Sequence, residues 1–274
     1  MSDLFPHLGL RLAYDGKNFS GFQLQPDGRS IQEILEKALS TVLKRSVRIL
    51  FSSRTDSGVH AFDQWAMVAN GIKDYENLSS KSQDAFLISV NALLPASVRV
   101  WRVFKLHKNF HPQKSVLAKE YRYRVLMGSV CDPSQRDFAL WIRRSLDLSE
   151  MKKAFKKFEG LHDFRAFAKK VQRYEEKTKR RVLSARIDVK PHPAILDVKE
   201  IQFVVVGEGF LHHMVRTMVG TVLEIGKGES HDIAALLKSG HRRDAGVNAP
   251  PQGLFLWRTR VKSSLARPLG RRVK

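Results

Sequence analysis

The chain is poor in cysteine, in acidic residues and in long apolar runs. Of its 274 residues only Cys131 is a cysteine. That excludes an intrachain disulfide and any zinc site built on several thiolates, and it fits a reducing cytoplasm. The most apolar stretch, Ile201 to Val206, is far shorter than the ~20 residues that span a bilayer. The opening Met1-Ser2-Asp3-Leu4-Phe5-Pro6 has no basic segment followed by an apolar run, so no secretory signal is expected there. Acids number 27 against 48 lysines and arginines, giving a net charge of +21. Such a surplus repels itself in the compact state and serves an acidic partner. With no membrane-spanning segment expected, nucleic acid is the favoured partner. At 43% apolar residues the chain can still build a core.

The hydrophobic pattern repeats one element order twice. In the first half, Leu10, Leu12 and Tyr14 alternate as a strand. Ser30, with Glu33 three residues on, forms a capping box that starts a helix, and Ile31, Leu35, Ala38, Leu39, Val42 and Leu43 share one of its faces. Val47, Ile49 and Phe51 give a second strand and Gln64 to Ala69 a third. Phe86, Leu87, Val90, Leu93 and Leu94 form a helical stripe stopped by Pro95, and Val98 to Val103 close the half. In the second half, Tyr121 to Met127 is a strand and Met151 to Phe158 a helix ended by Gly160. Leu183 to Val189 and Ile201 to Val205 are strands. A helix runs from Leu211 to Ile225, a short one spans Ala234 to Lys238, and Leu254 to Arg260 is the last strand. The expected fold class is therefore α+β. It has two ferredoxin-like β-α-β-β-α-β halves, over 1–108 and 109–262, with joined antiparallel sheets and a basic cleft between them. Residues 263–274 read as a basic tail without fixed structure, and the charge-dense stretch from Lys169 to Arg181 reads as a loosely ordered segment.

One segment stands out for chemistry: Arg54-Thr55-Asp56-Ser57-Gly58-Val59-His60. It follows a strand and opens a turn. In extended chain, residues two apart point the same way, so Arg54 and Asp56 can share a face. A neighbouring guanidinium favours the ionised form of a partly buried carboxyl, which suits a nucleophile or base. Taken locally the pattern is ambiguous. Arg-x-Asp is common, and Asp-Ser-Gly is an ordinary turn.

The segment resembles the catalytic motif of the tRNA pseudouridine synthase A family, and further matches follow in order. Tyr14-Asp15-Gly16 with Gly21-Phe22-Gln23-x-Gln25 resembles the family's opening, and Ser30-Ile31-Gln32-Glu33 its first helix start. Phe110-His111-Pro112 and Tyr121-Arg122-Tyr123-Arg124 resemble its central strand. Gly160-Leu161-His162-Asp163-Phe164 and Phe210-Leu211-His212-His213-Met214-Val215-Arg216 resemble two later motifs, and Ala249-Pro250-Pro251-x-Gly253-Leu254-x-Leu256 its closing strand. The set spans the chain from about Leu8 to Val261.

The resemblance implies an isomerase that converts uridine to pseudouridine at positions 38–40 in the anticodon arm of tRNA. It implies no metal and no organic cofactor, and a homodimer. Asp56 takes the place of the essential aspartate. Its carboxylate attacks the sugar, adds to the ring or removes a ribose proton; the sequence leaves these three routes open. All three need the base out of the stack. Tyr121 matches the active-site tyrosine, whose ring stacks on the extruded uracil. Tyr123 reads as core, or as a second member of a stacking platform. Arg216 matches an arginine that pairs with the aspartate; read as a bare helix residue it is a phosphate ligand. Arg54 matches one that holds the extruded nucleotide, Leu254 lines the uracil pocket, and His60 is a further candidate substrate contact or a structural residue. His162, His212 and His213 read as packing or RNA contacts rather than metal ligands. Three positions depart from the family: Ser53 replaces a glycine before Arg54, Phe22 stands where tryptophan is common, and Val261 where tyrosine is.

Overall fold

The computed structural model describes residues 4–26, 29–69, 80–169 and 178–269. It is a mixed α+β protein whose strands pair almost entirely antiparallel, and it divides into two compact units. One comprises residues 1–117 with 256–274, the other 118–255.

The first unit contains β1 (His7–Tyr14), α1 (Ile31–Leu43), β2 (Ile49–Phe51), β3 (His60–Val68), α2 (Ser80–Leu93) and β4 (Val98–Leu106), in the expected order. Ser30 caps α1, its hydroxyl accepting the Glu33 amide at 3.2 Å. Ile31, Leu35 and Leu39 are fully buried one turn apart. Within the sheet β1 lies between β4 and β3, and β2 adds to β3. Leu10 opposes Ala66 and Leu12 opposes Gln64 on one face; Gly9 opposes Met67 and Arg11 opposes Trp65 on the other.

That second face holds its own apolar cluster of Trp65, Met67, Phe104, Leu106, Phe110 and Ala266, with Val261 and Leu265 against it. It also holds a partly buried ion pair. The Arg11 guanidinium donates to both Asp63 oxygens at 2.6 and 2.5 Å, and the Thr259 amide donates to one of them at 2.9 Å. The described part of the supposed tail is structured. Residues 263–265 form a 3-10 turn, and β11 (Ala266–Pro268) pairs with β4. Arg267 stacks on Phe5 with 4.1 Å from its guanidinium carbon to the ring centre. Arg271, Arg272 and Lys274 lie outside the described residues, as does most of the charged stretch after Lys169.

The second unit contains β5 (Val116–Met127), which starts two residues before it, and β6 (Leu140–Ile142), α3 (Leu148–Lys156), β7 (Gly160–Asp163), β8 (Lys179–Pro191), β9 (Lys199–Gly207), α4 (Met214–Gly226) and α5 (Ile233–Ser239). β10 (Leu254–Val261) begins in it. The strands run in the order β5-β9-β8-β7, all antiparallel. The short strand β6 lies parallel to β5. The core is aromatic: Tyr123, Phe155, Phe158, Phe164, Phe167 and Phe203 are almost fully buried and meet edge-on or tilted.

Two helix starts differ from the sequence reading. α3 begins at Leu148 because Asp147 caps it, accepting the Ser149 and Glu150 amides at 2.9 and 3.0 Å. α4 begins at Met214 rather than Leu211 because His213 sits at φ 64, in the left-handed region, and cannot continue a right-handed helix backwards. β6, β7 and β11 had no counterpart in the hydrophobic pattern.

Candidate active site

In the first unit, residues 52–59 connect β2 to β3 and carry Asp56. The connection is held by buried polar groups. Gln64, fully buried on β3, accepts from the Ser52 hydroxyl at 2.6 Å and the Ser53 amide at 3.2 Å, and donates to the Ser53 carbonyl at 2.7 Å. One side chain thus satisfies both backbone groups of Ser53 and fixes the residue before Arg54. The Thr55 and Tyr14 hydroxyls lie 2.8 Å apart, and Gln64 also reaches Tyr14 at 3.5 Å. Tyr14 in turn packs on Phe22, which packs on Phe51 with ring centres 4.6 Å apart.

The far side of the loop rests on the segment after β1. The Phe22 amide donates to the Thr55 carbonyl at 3.1 Å, and the Ser57 hydroxyl to the Phe19 carbonyl at 3.1 Å. Gly21 makes this approach possible. It has φ +105, and a Cβ there would lie 2.6 Å from the Thr55 oxygen and 3.2 Å from the Asp56 carbonyl carbon. The Val59 amide closes a turn onto the Asp56 carbonyl at 3.2 Å. The result is a rigid frame in which Arg54 is exposed and Asp56 half-buried.

Ser53, the departure from the family's glycine, does not take the left-handed conformation; among the described non-glycine residues only Lys44 and His213 do. Its hydroxyl is buried with no protein partner. His60 is 1% exposed. The Gly16 amide donates to its Nδ1 at 3.1 Å, and an Asp15 oxygen lies at the same 3.1 Å. An amide can only donate, so Nδ1 is an acceptor and the ring hydrogen sits on Nε2; the Asp15 contact is proximity, not an ion pair. The buried ring thus ties the start of β3 to the segment after β1.

In the second unit, Tyr121 and Tyr123 share one face of β5. Tyr121 is buried and meets Phe210 edge-on at 5.1 Å. Tyr123 is fully buried, donates its hydroxyl to the Pro250 carbonyl at 2.8 Å, and has its acidity suppressed chiefly by burial, against the opposing pull of Arg216. This is the core role read for Tyr123 from the sequence. Lys119, two residues before Tyr121 on the same face, has its ammonium pushed down to about 8, first by burial and then by the charge of Arg180.

Arg216 lies in the first turn of α4 and is half-buried. Its Nε donates to the Ala249 carbonyl at 2.8 Å, and the Ala249 amide returns a bond to the Arg216 carbonyl at 3.0 Å. The segment carrying Ala249 can lie on α4 because residue 220 is glycine: a Cβ there would sit 1.7 Å from the Val247 oxygen. Leu254, the first residue of β10, is buried. Among the histidines, His162 bonds the Glu159 carbonyl at 2.7 Å, His213 is fixed by Asn248 at 2.8 Å, and His212 is exposed with its ring 4.3 Å from that of His213. Gln64, Tyr14 and Phe210, which position the candidate residues, were not singled out as such in the sequence. Their only signal was that each lies in or beside a segment carrying the resemblance.

A half-buried carboxyl on a hydrogen-bonded frame, two positions after an exposed arginine, suits an enzyme acting on a polyanion. Comparison with known proteins makes that class particular. The family model described as tRNA pseudouridine synthase matches residues 12–83 and 154–260, which take in Asp56, Arg216 and Leu254 but not Tyr121. The chain is 39% identical over 251 residues to "tRNA pseudouridine synthase A 1" of Protochlamydia amoebophila, covering 90% of this chain and 93% of that protein. It is 38% identical to "tRNA pseudouridine synthase A" of Geobacillus kaustophilus, covering 90% and 91%. It is 36% identical to the protein of the same name from Staphylococcus aureus strain bovine RF122, covering 90% and 88%. The chain belongs to the tRNA pseudouridine synthase family.

Proposed function

We propose that this chain isomerises uridine to pseudouridine at positions 38–40 of the tRNA anticodon arm, with Asp56 as the nucleophile. The observation that carries the reading is the Arg54–His60 loop. It lies inside the matched region and presents its carboxylate on a frame of buried hydrogen bonds. A simple RNA-binding surface has no use for such a group, since a carboxylate repels phosphates.

The reaction keeps every atom. The bond from the ribose carbon to N1 of uracil breaks, the base turns, and a bond forms from the same ribose carbon to C5. The proton leaves C5, and N1 ends protonated. Asp56 acts at the sugar, at the ring or on a ribose proton. Tyr121 stacks on the uracil, and its hydroxyl assists departure of the C5 proton. Arg216 pairs with Asp56 and holds it ionised. Arg54 holds the extruded nucleotide, and Leu254 lines the pocket. Each unit is a ferredoxin-like half, the charge of +21 binds the RNA backbone, and two copies form a homodimer in the cytoplasm. Among the described residues no helix is long and apolar enough to cross a membrane.

Incubation with unmodified tRNA transcripts, followed by carbodiimide-based primer extension, tests the reading. Stops confined to the anticodon arm support it. Intact tRNA binding without any stop would replace it with a non-catalytic RNA-folding factor or a synthase with another RNA target.

A further inference from the structure

A cluster at the C-terminal end of α4 contains none of the residues given a role in the isomerisation. His231 Nε2 lies 2.8 Å from a Glu224 carboxylate oxygen and 4.0 Å from one of Glu229. Its Nδ1 lies 3.2 Å from the Asp244 carbonyl oxygen. A carbonyl only accepts, so the Nδ1 contact is made by an Nδ1–H, and Nε2 is the ring nitrogen that faces the Glu224 carboxylate. Glu224, Glu229 and His231 therefore turn three potential ligand atoms toward one point.

The donors are held in place. The Val247 amide donates to the other Glu224 oxygen at 3.1 Å, fixing the carboxylate plane. Residue 246 is glycine, where a Cβ would fall 2.3 Å from Glu224 Oε2. The Glu229 amide bonds the Glu224 carbonyl at 3.0 Å, which brings the third side chain to the helix end. One ligand atom from each of the three residues lies within 4.8 Å of the others. The Glu224 and His231 side chains are 13% and 16% exposed, whereas that of Glu229 is 59% exposed and can swing to close the set.

The geometry points to a binding site for a zinc-class divalent cation formed by Glu224, Glu229 and His231. An imidazole with two carboxylates suits such an ion and neutralises its charge. The Nδ1–H to carbonyl bond is the outer contact that orients a metal-bound histidine. The ion clamps residues 244–247 to α4. The same segment leads to Ala249, whose carbonyl holds Arg216. The role is structural, and the isomerisation proceeds without passing through the ion.

Zn²⁺ titrated by calorimetry into the untagged, chelator-treated full chain tests this, with Co²⁺ absorption as a second probe. One equivalent binds, and the thermal midpoint rises by a few degrees. Glu229→Gln, an exposed change that leaves folding intact, weakens binding about tenfold or more, and His231→Gln removes it. No binding by the folded chain, or equal binding by wild type and Glu229→Gln, would overturn the site. The pair would then be a protonated His231 bridging Glu224 and the Asp244 carbonyl.

Discussion

The two units hold their candidate residues by different means. In the first, Asp56 sits on a loop fixed by side-chain hydrogen bonds, with Gln64 and Tyr14 spending their polar atoms on Ser52, Ser53 and Thr55. In the second, Tyr121 sits on a regular strand and is placed by alternation and by the edge of Phe210, while Arg216 is tied to a backbone carbonyl. A hydrogen-bonded loop tolerates little, because each lost partner leaves a buried polar group unsatisfied at about 1–3 kcal/mol. A strand position tolerates more, because its direction is set by the pairing of its neighbours.

The largest effect that probes this contrast is Gln64→Leu. It keeps volume but removes one bond of the Ser52 hydroxyl and the Gln64 bonds to both backbone groups of Ser53. The expected loss is about 3 kcal/mol, seen in urea unfolding and as a lowered thermal midpoint. A loss below about 1 kcal/mol would mean that water replaces the amide and that the loop is not fixed as described.

The two tyrosines sharpen the comparison within β5. Tyr123→Phe removes the bond to the Pro250 carbonyl and should cost about 1 kcal/mol of stability with kcat nearly unchanged. Tyr121→Phe should lower kcat by about 10²-fold, the weight of a positioned proton-transfer group. Reversed outcomes would exchange their roles.

A further effect is electrostatic. Lys119 is held near 8, below the ~10.4 of an unfolded chain. Between these values the unfolded state binds more protons, so this lysine makes stability rise with pH from about 8 to about 10. Lys119→Met should flatten that part of the profile by on the order of 1–2 kcal/mol, discounting for partial exposure. Parallel profiles for the two proteins would remove the effect.

The regular elements were legible where the period was long. The Ser30 start of α1 and the alternation that became β8 are local features, and one side chain or one face decides each. The three-residue strands β6 and β11 are too short to show a period and exist because distant partners pair with them. The true start of α4 turns on one left-handed residue, His213, held by Asn248 from 35 positions away. The site divides in the same way. Asp56 was legible as part of an ordered run of motifs. The frame beneath it was not, because Tyr14 meets Thr55 across 41 positions and no local rule joins them. The cation site was equally hidden: Glu224 and His231 are seven apart, a spacing that becomes a cluster only where α4 ends and the chain turns back.

The most direct test of the account is Asp56→Asn, which keeps size and hydrogen bonding and removes only the carboxylate. Single-turnover kinetics on unmodified tRNA, with binding measured in parallel, should show pseudouridine formation falling by about 10⁴-fold or more while tRNA affinity is retained. Turnover close to wild type would contradict the assignment of Asp56 as the nucleophile.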